Sequence, residues 1–378
     1  MNRRVIIVLG AVVIIGMLAL YGLKQGPAIL LKPPSEQRIA FISDRGGNPD
    51  IWTMKTDGSD ARQVTNDAAD DQSPSWSPDV KQLVSVSDRR DQTYQLFVAA
   101  WDGRYVRCIT SSEATKDVPV WSADGKEITF ISGGKACGIK TTGGREEQYL
   151  PISGVTSANA IESQRFGFGA WSQGNQYLYY IRETDRGKEV YAADKDAMTA
   201  AIAAAQEAQQ EGKPPDQEKQ VGIAITMARN LAIAVAPKSQ KTAISFIDRQ
   251  GRNGILVYDL NAVTSQDIYL FPDKNHAPGK LAWSPDGTRI AFEVWTLEDG
   301  TANMPVGIYV VNASGGKPRL ILKGDAREPT WSPDGKQLAC TVMSDDKRDI
   351  WRVNADGTGA VNLTKGRGDN LNPAWSPR

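Results

Sequence analysis

One short phrase, Pro-x-Trp-Ser-Pro-Asp-Gly, returns along this chain at a near-constant spacing and constrains the fold more than any other feature. It stands complete at Pro329-Thr330-Trp331-Ser332-Pro333-Asp334-Gly335 and recurs with small changes around Trp76, Trp121, Trp171, Trp283 and Trp375. Successive tryptophans are spaced by 45, 50, 48 and 44 residues, with one larger gap of 112 between Trp171 and Trp283. A degenerate copy fills that gap, with Val235 in the tryptophan position 48 residues before Trp283. Seven copies result, six with tryptophan and one without. Such a period marks a stack of like units, none of which buries its apolar face alone.

Each period reads as four short strands. The Ser-Pro-Asp-Gly segment has turn chemistry, and an apolar run such as Arg289-Ile290-Ala291-Phe292 follows it. A polar loop leads to a third run, as in Asp349-Ile350-Trp351-Arg352-Val353. An Asp-Gly hairpin signal comes next (Asp57-Gly58, Asp102-Gly103, Asp356-Gly357). The last strand ends in Val64-Thr65, Ile109-Thr110 or Leu363-Thr364. Four strands per period describe a propeller blade. The pattern opens at Arg38-Ile39-Ala40-Phe41-Ile42, a second strand, and finishes at residues 373–377, a lone first strand. The expected fold is all-β: a seven-bladed β-propeller of four-stranded antiparallel blades over residues 38–378, closed by the C-terminal strand joining the N-terminal blade. Closure would remove the sheet edges that invite aggregation.

These residues resemble the TolB-type, WD-like β-propeller repeat family, with its Pro-x-Trp-Ser-Pro-Asp-Gly core. The resemblance spans nearly everything from Arg38 to Arg378 apart from one insertion. It implies the propeller fold strongly and function only broadly. Members include periplasmic proteins whose propeller binds envelope partners, and similar propellers precede the hydrolase domains of prolyl-oligopeptidase-like enzymes. The expectation here is the repeat alone, without the separate α/β domain or the hydrolase domain those proteins add.

Before the repeat, Arg3 and Arg4 precede an uncharged, mainly apolar run over residues 5–23, followed by Lys24. Nineteen helical residues span about 28 Å, close to the thickness of the bilayer hydrocarbon. The flanking arginines place the N-terminus in the cytoplasm and the rest across the membrane. Residues 1–24 are thus expected to be an uncleaved transmembrane anchor, with a cleaved signal peptide as the rival reading. Residues 25–37, with Pro27, Pro33 and Pro34, read as a stalk too proline-broken for a helix.

Lysine plus arginine number 44, as do aspartate plus glutamate, so no net positive charge favours nucleic acid. Cys108, Cys137 and Cys340 show no CxxC spacing and read as strand thiols. A disulfide would arise if Cys108 and Cys137 met across a blade interface. Residues 195–211 are alanine- and glutamine-rich, and Gly212 with Pro214-Pro215 stops that helical pattern. The insertion 195–220 is expected to lie in the fourth blade, as a solvated helix or a docking arm.

Catalytic motifs do not emerge: there is no Gly-x-Ser-x-Gly elbow, HExxH, P-loop or dinucleotide fingerprint. Six tryptophans once per blade read as packing, which leaves Trp101 and Trp295 as the better ligand candidates. Central positions of the loop face, five residues before each tryptophan, are Asp71, Lys116, Phe166, Asn230, Pro278, Ala326 and Asn370. That mixed ring suits no symmetric ion, and no cofactor is expected. Charged outer loops, among them Asp88-Arg89-Arg90-Asp91 and Asp345-Asp346-Lys347-Arg348, suit a polar protein-binding rim. The expected function is a membrane-anchored extracytoplasmic scaffold binding a protein or peptide, with Asp71, Asp117, His276, Arg327, Glu328, Asp369 and Asn370 at the channel mouth. The alternative is a hydrolase or lyase-type propeller enzyme, or its regulatory subunit, acting on peptide or carbohydrate. Its site would comprise Asp71, Asp117, His276, Arg327 and Glu328.

Overall fold

The repeated turn is built by its own side chains. Ser77 Oγ donates to Asp79 Oδ1 at 2.8 Å and accepts from the Gln82 amide at 3.0 Å, while Asp79 Oδ1 accepts from the Lys81 amide. The arrangement recurs at Ser122 and Asp124, at Ser284 and Asp286, and at Ser332 and Asp334. Serine and aspartate are thus fixed by the turn and not free for other chemistry. In the Ser284 copy these bonds hold the Asp286 carboxyl down at about 2.

The computed structural model describes residues 31–133, 135–148, 170–172, 176–184, 187–198, 200, 223–248, 250–298 and 301–377. The strands all belong to the unit Pro34–Arg378. Among the described residues no helix is long and apolar enough to cross a membrane. The apolar run 5–23 and most of the insertion, 201–220, lie outside the described residues, as does Phe166. Residues 195–198 begin helically, directly after the strand Gly187–Asp194.

This is an all-β, propeller-type fold of antiparallel sheets. Among the described residues five sheets have four strands, four of them in simple meander order, and one has seven. The sheet of the second repeat runs Asp71–Trp76, Gln82–Ser87, Gln95–Ala100 and Val106–Cys108. The seven-stranded sheet arises because one strand, Ile223–Val235, pairs with Gly187–Asp194 through its first half and with Lys241–Ile247 through its second. The final strand, Asn370–Trp375, pairs with Arg38–Ser43, placing Trp375 opposite Ile39 and Asn370 opposite Ser43. Serine-aspartate turns and Asp-Gly turns lie at one end of the strands. Loops joining second to third strands, and one sheet to the next, lie at the other.

Apolar clusters sit between successive sheets. Val84, Val86 and Val98 of one pack on Trp121, Ile128 and Phe130 of the next. Ala339 and Ile350 pack on Ile39, Phe41 and Trp375. The tryptophans also latch the sheets. Trp121 Nε1 donates to the Ser75 carbonyl, Trp331 to Ala282, Trp283 to Ala234 and Trp76 to Ala374, at 2.7–3.0 Å. Each acceptor immediately precedes the corresponding tryptophan position of a neighbouring inner strand. A buried indole N–H needs an acceptor, and the repeat supplies it at constant register.

Cys108, Cys137 and Cys340 are free thiols, so the Cys108–Cys137 bridge does not form. Cys137 is instead part of the apolar cluster around Trp121.

Candidate functional site

Innermost strands carry a bulge just before the tryptophan. Register shifts between Gln72 and Ser75, Asp117 and Val120, Pro278 and Leu281, and Arg327 and Thr330. At that step Ser73, Val118, Glu328 and Asn372 adopt left-handed backbone, with φ of 56°, 47°, 57° and 53°. Such angles are strained for non-glycine residues, most of all for a β-branched valine. The bulge turns these residues toward the axis. Ser73, Val118, Lys280, Glu328 and Asn372 line one cavity of about 340 Å³ with the residues after them.

Positions five before the tryptophan point elsewhere. Asp71, Lys116, Ala326 and Asn370 are fully buried in their sheets. Lys116 Nζ is held by Ser112 Oγ at 2.6 Å and by the Ala114 carbonyl. Asn370 Nδ2 donates to the Arg367 and Gly368 carbonyls, and its Oδ1 accepts from Arg45. Asp71 receives Arg89 at 2.8 and 2.9 Å. These side chains staple the loops between sheets, and the bulge makes the third residue before tryptophan the axial one.

The remaining expected residues separate. Asp117 is buried and accepts from the Val118 amide at 2.8 Å. His276 lies half-buried, 2.9 Å from Asp273 Oδ1 and stacked on Phe271. Neither lines the cavity that gathers Arg327, Glu328 and Asp369. That cavity holds about 260 Å³ and is also lined by Ile42, Asp44, Glu293, Trp295, Thr341, Arg348 and Leu371. It descends from exposed Asp44 and half-exposed Arg348 to buried Glu293 and Thr341.

Glu293 dominates its inner end. The carboxylate is 3% exposed. It accepts N–H bonds from Glu328 at 2.7 Å, from the Trp295 indole at 2.9 Å and from Lys280 at 3.3 Å. Burial pushes its carboxyl above the usual range, against those hydrogen bonds and the charge of Lys280. Glu328 in turn accepts from Thr341 Oγ1 at 2.6 Å and from the Asn372 amide at 2.8 Å. Two carboxylates therefore tie three successive inner strands through their bulged amides. At Gly279 a Cβ would meet Glu293 Oε2 at 2.5 Å and the Trp295 indole nitrogen at 2.6 Å, so only glycine fits.

Both arginines of the cavity are engaged. Arg327 pairs with Asp325 and lies 4.8 Å over the Trp295 ring. Arg348 pairs with Asp369, whose carboxyl is pushed up by burial but held below its ordinary value by Arg348. Trp101 is half-buried beneath the guanidinium of Arg38. Trp295 is therefore the cavity-lining member of the tryptophan pair. The repeat carried a signal for Glu293: the equivalent second-strand positions hold Ile42, Val86, Ile131, Ile181, Ser245 and Thr341. A lone carboxylate among them breaks the pattern.

The antiparallel sheets, their tryptophan latches and the loop-end cavity define a propeller-type domain with a polar mouth. The chain belongs to the TolB beta propeller domain family, whose profile matches residues 20–214 and 216–378. A Tol-Pal system protein TolB of Anaeromyxobacter sp. strain K is 41% identical over 103 residues, 25% of this chain and 20% of that protein. The matched segments span about a fifth of the length of such curated relatives. The crystal structure of TolB from Acinetobacter baumannii superposes with a TM-score of 0.54 at 16% identity, over 90% of this chain and 67% of that one. An oligogalacturonate lyase in complex with manganese gives 0.60 at 12% identity, over 84% and 85%. At such identities the likeness is one of fold.

Proposed function

We propose that this chain is an extracytoplasmic propeller that binds a protein or peptide partner at its loop-end mouth. In this reading the seven-stranded sheet is two blades sharing one strand. The propeller then has seven blades, and the last strand closes it onto the first sheet. Residues 1–24 anchor it in the membrane with the N-terminus cytoplasmic, 25–37 form a stalk, and 195–220 form a helical arm on the fourth blade. The anchor raises the local concentration of the loop face near an envelope partner.

The carrying observation is the mouth cavity, where Arg327, Glu328 and Asp369 converge with Trp295 on a rigid frame. Charge on such a frame gives specificity and on-rate, and a buried aromatic floor gives an anchor point. Kinship to a Tol-Pal system protein supports a protein partner in the envelope. Crosslinking of the full chain in its native membrane, followed by mass spectrometry, tests the reading. The same few polypeptides should recur, and replacing Arg327 and Asp369 should remove them. Turnover of a peptide or glycan library that is abolished by Glu328→Gln would overturn it in favour of an enzyme.

A further inference from the structure

We propose that Asp50 and Asp71 share one proton across Thr65, and that this proton latches the segment joining the first two sheets beside the mouth cavity. The latch loosens when the proton leaves. It stands independently of what the mouth binds.

The repeat builds this junction from three residues: a polar one near the start of the third strand, a threonine after the outer strand, and the residue five before the tryptophan. Ile51, Leu96 and Ile350 donate their amide N–H to the threonine hydroxyl at 2.9–3.0 Å, which leaves that hydroxyl one proton to give elsewhere. In the second repeat Thr110 gives it to the Gln95 amide oxygen at 2.8 Å, and the third residue is Lys116. In the seventh Thr364 gives it to Asp349 at 2.5 Å, and Asn370 adds an amide N–H at 3.5 Å. At the first of these three junctions the same positions hold two carboxylates. Asp50 and Asp71 are 1% and 0% exposed. Thr65 donates to Asp50 Oδ1 at 3.2 Å and lies within hydrogen-bonding reach of Asp71 as well. One hydroxyl proton cannot satisfy both. A proton taken from solvent onto one carboxylate removes the repulsion and supplies the missing donor.

The surroundings favour the protonated pair. Asp50 also accepts from the neutral amide of Gln63 at 2.8 Å. Burial raises its carboxyl to about 6, and the charges of Asp71 and Asp67 act in the same direction. Burial raises Asp71 too, although Arg89 reaches it at 2.8 and 2.9 Å. That guanidinium is divided between Asp71 and Asp67. The other titratable groups at the junction are Asp70, Asp88, Asp117 and the Tyr94 hydroxyl, none of them a cation. Position ties the pair to the mouth. Asp50 follows Pro49 and Asp71 precedes Gln72, and both of those neighbours line the mouth cavity. The Asp71 amide donates to the Pro49 carbonyl at 2.7 Å, and Asn48 Nδ2 donates to the Ala69 carbonyl. Two like charges left facing each other in a buried junction repel strongly, so loss of the proton loosens these contacts.

Hydrogen exchange of the full chain in nanodiscs, read by mass spectrometry and corrected for the intrinsic rate at each pH, tests the latch. The folded value lies above the ordinary one of about 3.9, so the stabilisation is complete below pH ~4 and is lost as pH rises through about 6. Amides of residues 64–72 should lose about tenfold in protection between pH 5 and pH 7.5, while the matching segments 109–117 and 363–371 stay flat. Asp71→Asn copies the residue that the seventh junction carries as Asn370 and should abolish the change, as should Asp50→Asn. Infrared difference spectra between the same pH values should show a protonated carboxyl band that each variant diminishes. If neither variant folds, the three junctions compared within the unaltered protein decide. Equal protection of residues 64–72 at both pH values, the same loss at all three junctions, or a loss that survives both substitutions would overturn the proposal.

Discussion

Trp375 ends the strand Asn370–Trp375, whose hydrogen-bonded partner is the sequence-distant strand Arg38–Ser43. If its strand completes the first sheet, Trp375→Ala should cost nearly as much stability as the same change in mid-chain. Trp375 is 7% exposed and packs against Ile39, Phe41 and Met54, with Ala339, Ile350 and Leu363 from the preceding sheet. Trp331 is 6% exposed in an equivalent cluster of Ala291, Ile308, Ile321 and Leu338. Truncating either indole should cost about 3–5 kcal/mol. Trp331 also loses its hydrogen bond to Ala282, worth about 1 kcal/mol, whereas the buried Trp375 Nε1 has no acceptor among the described residues. Trp331→Ala should therefore exceed Trp375→Ala by about 1 kcal/mol and no more. Urea unfolding followed by far-ultraviolet circular dichroism measures both without relying on the lost fluorophore. A cost below about 1 kcal/mol for Trp375→Ala, beside a full cost for Trp331→Ala, would refute the reasoning.

Thr364 Oγ1 accepts from the Ile350 amide at 3.0 Å and donates to Asp349 Oδ1 at 2.5 Å, both in the core. Thr364→Val should cost about 1–3 kcal/mol in thermal or urea unfolding, because it orphans a buried amide. Burial raises the Asp50 carboxyl to about 6, against hydrogen bonds from Gln63 and Thr65. Since the folded value exceeds the unfolded one of about 3.9, its contribution is fully favourable below pH ~4 and is lost as pH rises through about 6. The stability difference between Asp50→Asn and the parent should thus move in favour of the variant from pH 4 to pH 7; a flat difference would contradict the assignment. Burial pushes the Cys340 thiol up to about 12, so a thiol reagent at pH 8 should label half-buried Cys108 in the native protein and reach Cys340 only after unfolding.

The repeat made the strand order legible because one period encodes one sheet, with turn, strand and tryptophan at fixed offsets. What it could not carry was the direction in which inner-strand side chains point. A bulge with Ser73, Val118, Glu328 and Asn372 in left-handed backbone shifts the axial position by two residues. Counting along an ideal strand therefore named Asp71 and Asn370, which fold back to staple loops. Arg327, Glu328 and Asp369 were reachable because each lies where an inter-sheet loop enters one of two successive inner strands, Ala326–Trp331 and Asn370–Trp375. Their cavity partners Glu293 and Trp295 come from a second strand: Trp295 was legible as a tryptophan outside the once-per-blade register, Glu293 only as a break in the repeat. Arg348 was legible only as part of the charged loop Asp345-Asp346-Lys347-Arg348, and its pairing with Asp369 was not.

Site-resolved photo-crosslinking in native membranes tests the central claim most directly. A photoreactive residue at exposed Asp44 or at Asp369 sits on the mouth, and one at Lys126 sits on the opposite turns with its side chain 81% exposed. The account predicts discrete polypeptide adducts from Asp44 and Asp369 and none from Lys126. Equal adducts from both ends, or adducts from Lys126 alone, would contradict it.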